Sequence, residues 1–93
     1  MRTIERSSAF KKDFKREIRG KHKATIESDL SNILVLLIQD QPLEPHHRDH
    51  ELIGDWGGYR ECHIKADLLL IYRKVDRATL RLARLGSHSA LFG

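Results

Sequence analysis

One cysteine, Cys62, is all this chain has, so no internal disulfide can brace it. That fits a reducing compartment, and the cytosol is the expected location. The place of Cys62 in an alternating strand pattern marks it as a small buried hydrophobe rather than a nucleophile. No apolar run approaches the ~20 residues that a membrane span requires. The opening MRTIERSS has no apolar stretch, so no secretory leader is expected. Repeats, linkers and low-complexity segments are also missing, and 93 residues suffice for one core but not two. A single domain over residues 1–93 follows. Acidic charge is in short supply as well: 13 Asp and Glu against 17 Lys and Arg leave a net charge of +4. Such a surface favours an anionic partner, nucleic acid or an acidic protein segment.

What is present divides into helices first and strands later. Thr3 to Arg6 reads as a short opening strand. Ser7 or Ser8 can cap the helix that follows, in which Phe10, Phe14 and Ile18 recur every four residues as one narrow apolar stripe. Lys11, Lys12, Lys15, Arg16 and Arg19 surround that stripe, and Gly20 is placed as a helix stop. This basic surface reads either as a solvated face or as a phosphate-contacting one. A second helix is expected from about His22 to Gln39, with Ile26, Leu30, Ile33, Leu34, Leu37 and Ile38 as the main core stripe. Pro42 and Pro45 then open a loop of nearly twenty residues that carries His46, His47, His50 and Trp56. Long loops in small domains are often functional.

Residues 59–64 alternate as a strand with one buried face, whereas Leu68 to Tyr72 is apolar on both parities and suits a central strand. Together they predict a hairpin with His63 and Asp67 near its tip. Thr79 to Leu85 gives a last strand, and Ser89 to Gly93 a tail able to form one helical turn. The expected order is β-α-α-β-β-β, an α+β domain with two helices packed on a small antiparallel-rich sheet.

His50, His63, Asp67, His88 and Phe92 all fall at or beyond strand ends, where a fold can converge side chains on one cleft. Histidine titrates near neutrality, so several in a basic cleft suit proton transfer at a phosphodiester. Cleavage of RNA by its own 2′-OH needs a base, an acid and cations for the phosphorane charge, which Arg60 and Arg84 could supply. Two other readings stand beside this one. His46, His47, His50, His63 and His88 could bind zinc, although no cysteine partner accompanies them. A non-catalytic basic module that binds RNA or a partner protein would need the cations but not the histidines. Trp56 reads as a packing aromatic, and Asp67 alone could be only a turn residue.

The segments DHELIGDWGGYRECHIKAD, LLLIYRK and GSHSALFG, in this order, closely resemble the YafQ-type ribonuclease toxins of the RelE superfamily, from bacterial type II toxin–antitoxin modules. The resemblance implies a RelE-like fold and an endoribonuclease that cuts translated mRNA in the ribosomal A site without a metal or other cofactor, silenced by a cognate antitoxin. It makes His50, His63, Asp67 and His88 the candidates for proton transfer and phosphate binding. Phe92 would position or stack on a base. Where the family can carry Trp after the hairpin aspartate, this chain has Leu68, and base stacking is not carried over to that position.

Overall fold

A computed structural model describes residues 1–93. Ser7 caps the first helix as its chemistry suggests. Its Oγ accepts the Phe10 N–H at 3.0 Å and donates to the Ala83 carbonyl at 2.7 Å, which pins the helix start to a distant strand. The elements are β1 (Thr3–Arg6), α1 (Ser8–Glu17), α2 (Ile26–Ile38), β2 (His50–Glu51), β3 (Arg60–Lys65), β4 (Leu68–Lys74), β5 (Thr79–Gly86) and α3 (His88–Phe92). The class is the α+β one read from the sequence, with one addition and one shifted start. A two-residue strand, β2, lies inside the long loop, and the helical turn expected in the tail forms one residue earlier, from His88, as α3.

Two other helix boundaries differ from expectation. α2 starts at Ile26, four residues later than predicted, because Lys21 to Thr25 offers no large apolar side chain to bury and isolated helical turns are marginal without packing. Gly20 is not a left-handed stop: α1 ends at Glu17, and the glycines with positive φ are Gly54, Gly58 and Gly93.

The sheet order is β1-β5-β4-β3-β2, with β1 parallel to β5 and every other pair antiparallel. β4 is central. Its residues Leu68 to Tyr72 are at most 1% exposed, as a strand apolar on both parities requires. One face carries the main core, where Cys62, Leu70, Tyr72, Leu80 and Leu82 meet Phe10 of α1 and Ile26, Leu30, Ile33 and Leu37 of α2. The other face has no long helix over it. There Leu69, Ile71, Ala83 and Leu91 form a smaller cluster, flanked by Leu52, Trp56 and Tyr59. Leu68 lies wholly inside the helix-side core, so it presents no surface on which a base could stack. No helix is long and apolar enough to cross a membrane.

Candidate active site

Strand register, more than sequence proximity, gathers the candidate residues. His50 pairs across from Glu61, and Glu61 across from Ile71; one row further along, His63 pairs with Leu69 and Leu69 with Gly86. Residues two apart on a strand share a face. Glu61 and His63 therefore both stand on the open face, with His50 beside them on the edge strand. The Asp67 carboxylate, in the β3–β4 turn, accepts the His88 backbone N–H at 3.1 Å and so ties the hairpin tip to the start of α3. Ser87 caps that short helix by accepting the Ala90 N–H at 3.1 Å. Phe92, one turn on, is 41% exposed, and its ring centroid lies 5.1 Å from that of His88.

The centre of the cluster is a residue that sequence reasoning passed over. Glu61 is only 3% exposed, yet its carboxylate faces His50 Nε2 at 3.5 Å and His63 Nε2 at 3.8 Å. These separations suit charge interaction and are longer than ordinary hydrogen bonds. A carboxylate is costly to bury unless it is paired, and imidazoles are the partners this one has. The other nitrogen of each ring is held by the backbone. His50 Nδ1 donates to the Arg48 carbonyl at 2.6 Å, and His63 Nδ1 to the Ala66 carbonyl at 3.3 Å, because a carbonyl can only accept. Each Nε2 is thus left facing Glu61 and the open surface. The available signal was the shared parity of Glu61 and His63.

Two further carboxylates hold the frame. Asp49 receives the Tyr72 hydroxyl at 2.5 Å and Arg60 Nε and Nη2 at 3.3 Å each, fixing the chain immediately before His50. Burial first, and then the bond to Asp49 and its charge, push the Tyr72 hydroxyl far above its ordinary range, so it stays a protonated donor. Asp13, 3% exposed, accepts Arg84 Nε at 2.7 Å, Arg84 Nη2 at 3.2 Å, the Leu85 N–H at 3.0 Å and Arg16 Nη1 at 3.1 Å. Burial opposes its ionisation, but the Arg84 bond, the Leu85 N–H and the fields of Arg84 and Arg16 outweigh that and hold its carboxyl below the usual range. Arg16 Nη2 also donates to the Leu85 carbonyl at 3.0 Å, beside Gly86. A Cβ on Gly86 would meet that guanidinium at 2.8 Å and Leu91 at 3.3 Å, so a larger residue there would have to displace the Arg16 side chain.

The structure therefore brings His50, His63, Asp67, His88 and Phe92 to one end of the open face. Arg60 and Arg84 reach carboxylates, and a phosphate at either would share it with Asp49 or Asp13. Lys11, Lys12 and Lys15 stand exposed on α1, which packs on the opposite, helix-covered face. Cys62 is fully buried, and burial pushes its thiol far up, which leaves it inert. Trp56 packs edge-on against Tyr59 with centroids 5.3 Å apart. No three His, Cys, Asp or Glu side chains stand close enough together to share a metal ion.

The sheet is mixed and five-stranded, with two long helices on one face and a histidine–carboxylate cluster on the other. The family model described as the bacterial toxin of type II toxin–antitoxin systems, YafQ, matches residues 2–93. The mRNA interferase toxin YafQ of Escherichia coli K12 is 41% identical over 93 residues, 99% of this chain and 97% of that one. Among solved structures, a copper-bound mutant toxin from Helicobacter pylori superposes with a TM-score of 0.87 at 38% identity, over 99% of this chain and 100% of that one. The E. coli DinJ–YafQ complex gives 0.83 at 40% identity over the whole of both chains. The chain belongs to the YafQ family of bacterial type II toxins.

Proposed function

We propose that this protein is an mRNA interferase: an endoribonuclease that cuts translated mRNA in the ribosomal A site by metal-independent acid–base catalysis, and that a cognate antitoxin silences. The observation that carries the chemistry is the Glu61 carboxylate set between two imidazoles on the open face, with His88 across the sheet from them. In the reaction the 2′-OH attacks the adjacent phosphorus, the P–O5′ bond breaks, and a 2′,3′-cyclic phosphate and a 5′-OH result. One imidazole takes the 2′-OH proton and another gives one to the departing 5′-oxygen. The fixed Nδ1–H bonds present Nε2 of His50 and His63 for this work, with Glu61 stabilising whichever ring becomes charged. Asp67 positions His88 through its backbone, and Phe92 stands beside it where an unpaired base can stack.

Cleavage should therefore persist in excess chelator and leave 2′,3′-cyclic or 3′-phosphate ends. A 5′-phosphate product, or cutting lost to chelator and restored by zinc, would overturn the mechanism.

Ribosome dependence has its own support. The cluster is shallow, and four of its members, His50, Asp67, His88 and Phe92, are exposed, so little of the chain can immobilise a free substrate. Orientation of reacting groups contributes up to ~7–11 kcal/mol in well-ordered systems. A codon fixed in the A site arrives unpaired and oriented. Lys11, Lys12 and Lys15 on α1 would meet ribosomal RNA on the far side, an electrostatic and salt-sensitive contact. One message, free and on programmed ribosomes at equal enzyme concentration, should be cut far faster on the ribosome. Neutralising the three lysines should erode that advantage, and equal rates on both substrates would sink the dependence.

Silencing fits the E. coli DinJ–YafQ complex, in which the relative is bound by another protein. An antitoxin segment covering the histidine cluster here would block the cut directly. Co-expression with the neighbouring frame should give a stable complex that leaves RNA intact, and a co-purifying neighbour that leaves activity untouched would refute the silencing.

A further inference from the structure

Beyond the histidine cluster, the open face carries a second row that the proton-transfer chemistry does not use. Glu5 of β1, Arg81 of β5 and Arg73 of β4 lie directly across from one another. Like charges opposite each other on neighbouring strands are destabilising, so the Arg81–Arg73 pair calls for a reason. Arg81 is engaged: its Nε donates to Glu5 Oε1 at 2.6 Å, and Tyr59 lies within its reach. Arg73 has no carboxylate. It is exposed, and its guanidinium lies over the Tyr59 ring, 5.7 Å from the centroid. Trp56, half-buried, meets the same ring edge-on. The row thus places an uncommitted planar cation beside two aromatic rings, on a surface with no long helix over it.

Its distance from the catalytic cluster is set by register. Arg73 is four residues along β4 from Leu69, the cross-strand partner of His63, which is about 13 Å at ~3.3 Å per residue. A strand of RNA lying across the open face with its scissile phosphate at the histidines would bring a neighbouring nucleotide to this row.

We infer that Arg73 and Arg81, with Tyr59 and Trp56 beside them, form a binding subsite for the unpaired RNA strand next to the cleaved bond. Arg73 supplies the main phosphate contact. Arg60 and Arg84 each spend their guanidinium on a carboxylate, whereas Arg73 presents its donors to solvent. Planar guanidinium and aromatic faces suit single-stranded RNA, whose phosphates and bases are both accessible. This inference deepens the ribonuclease reading and rests on it for the direction of the strand, but its test needs no cleavage.

The probe is a fluorescently labelled single-stranded 2′-O-methyl oligonucleotide, which lacks the attacking hydroxyl, with anisotropy read against salt. Arg73→Gln should weaken binding by roughly tenfold, and its log–log salt slope should fall by about 0.7, the value of one phosphate contact on a single strand. Arg81→Gln should do less, because Glu5 already holds that side chain. Arg77→Gln, an exposed cation of the β4–β5 turn, should change nothing. On programmed ribosomes Arg73→Gln should raise KM and leave kcat unchanged. If Arg73→Gln binds the probe like the wild type, the subsite does not exist. Unchanged RNA binding with weaker capture of a co-expressed acidic partner would likewise overturn it, in favour of a protein interface. A wild type that binds the probe through Arg73 yet cuts no message keeps the subsite and sinks the ribonuclease reading. A wild type that cuts message while Arg73→Gln binds normally does the reverse.

Discussion

Alanine at His63 or at His88 is expected to slow cleavage of ribosome-bound message by roughly 10²–10⁴-fold, the range for loss of one proton-transferring group. Growth arrest on induced expression should disappear with it. The fold should survive both changes. The His63 ring makes one long hydrogen bond, to the Ala66 carbonyl, and the His88 ring makes none, while Asp67 holds His88 only by its backbone N–H. Circular dichroism and the thermal midpoint should stay close to those of the wild type. The pH–rate profile separates the roles: if base and acid are divided between the two sides of the cleft, each variant should lose a different limb of a bell-shaped curve. Glu61→Gln gives the intermediate case. It keeps the shape but removes the charge that stabilises an imidazolium, so it should shift the limb that His50 or His63 controls. Full toxicity in both alanine variants with unchanged dichroism would mean that the site is elsewhere.

The largest expected effect on stability lies at Asp13. Asp13→Ala leaves the part-buried Arg84 guanidinium and the buried Leu85 N–H without their acceptor, and removal of one partner from a buried pair costs about 3–5 kcal/mol. Domains of this size have ~5–15 kcal/mol in total, so the variant should lose about a fifth or more of its margin. Urea unfolding should show a lower midpoint with an unchanged slope. The pH dependence follows from the depressed carboxyl. Asp13 stabilises the fold fully above the ordinary aspartate value near ~3.9 and loses that contribution as the pH falls through its lower folded value. Wild-type stability should therefore drop below about pH 4, and Asp13→Ala should flatten that part of the curve. An Asp13→Ala protein as stable as the wild type would show the network to be decorative.

These two carboxylates also mark the limit of what could be read from sequence. Periodicity found the β3–β4 hairpin, the burial of Leu68 to Tyr72 on both sides and the apolar stripe of α2, because hydrophobic spacing reports directly on which face is covered. Capping chemistry found Ser7. The convergence of His50, His63, Asp67, His88 and Phe92 at one end of the sheet was legible from their positions at element ends and from the resemblance in the second half of the chain. Asp13 and Glu61 were not, because an isolated acid in a basic protein reads as surface. Yet Asp13 lies three residues after Phe10 and beside Phe14, on the stripe that faces the core, and Glu61 shares its parity with His63. Arg60 and Arg84 read as free cations for the same reason: their partners, Asp49 and Asp13, are distant in sequence. Pairing across long separations is what spacing does not encode.

The parallel pairing of β1 with β5 has a consequence in time. β1 is the first element to be synthesised, and its neighbour in the sheet is made after β2, β3 and β4. Chains emerge from the ribosome in order, and contacts between such distant segments form late. The Asp67–His88 link waits for α3, which follows β5. A nascent chain can thus build its hairpin and helices while its histidine cluster is still incomplete. By this topology the histidine cluster stays incomplete while most of the chain is being made, and its completion waits until the last strand and helix are free.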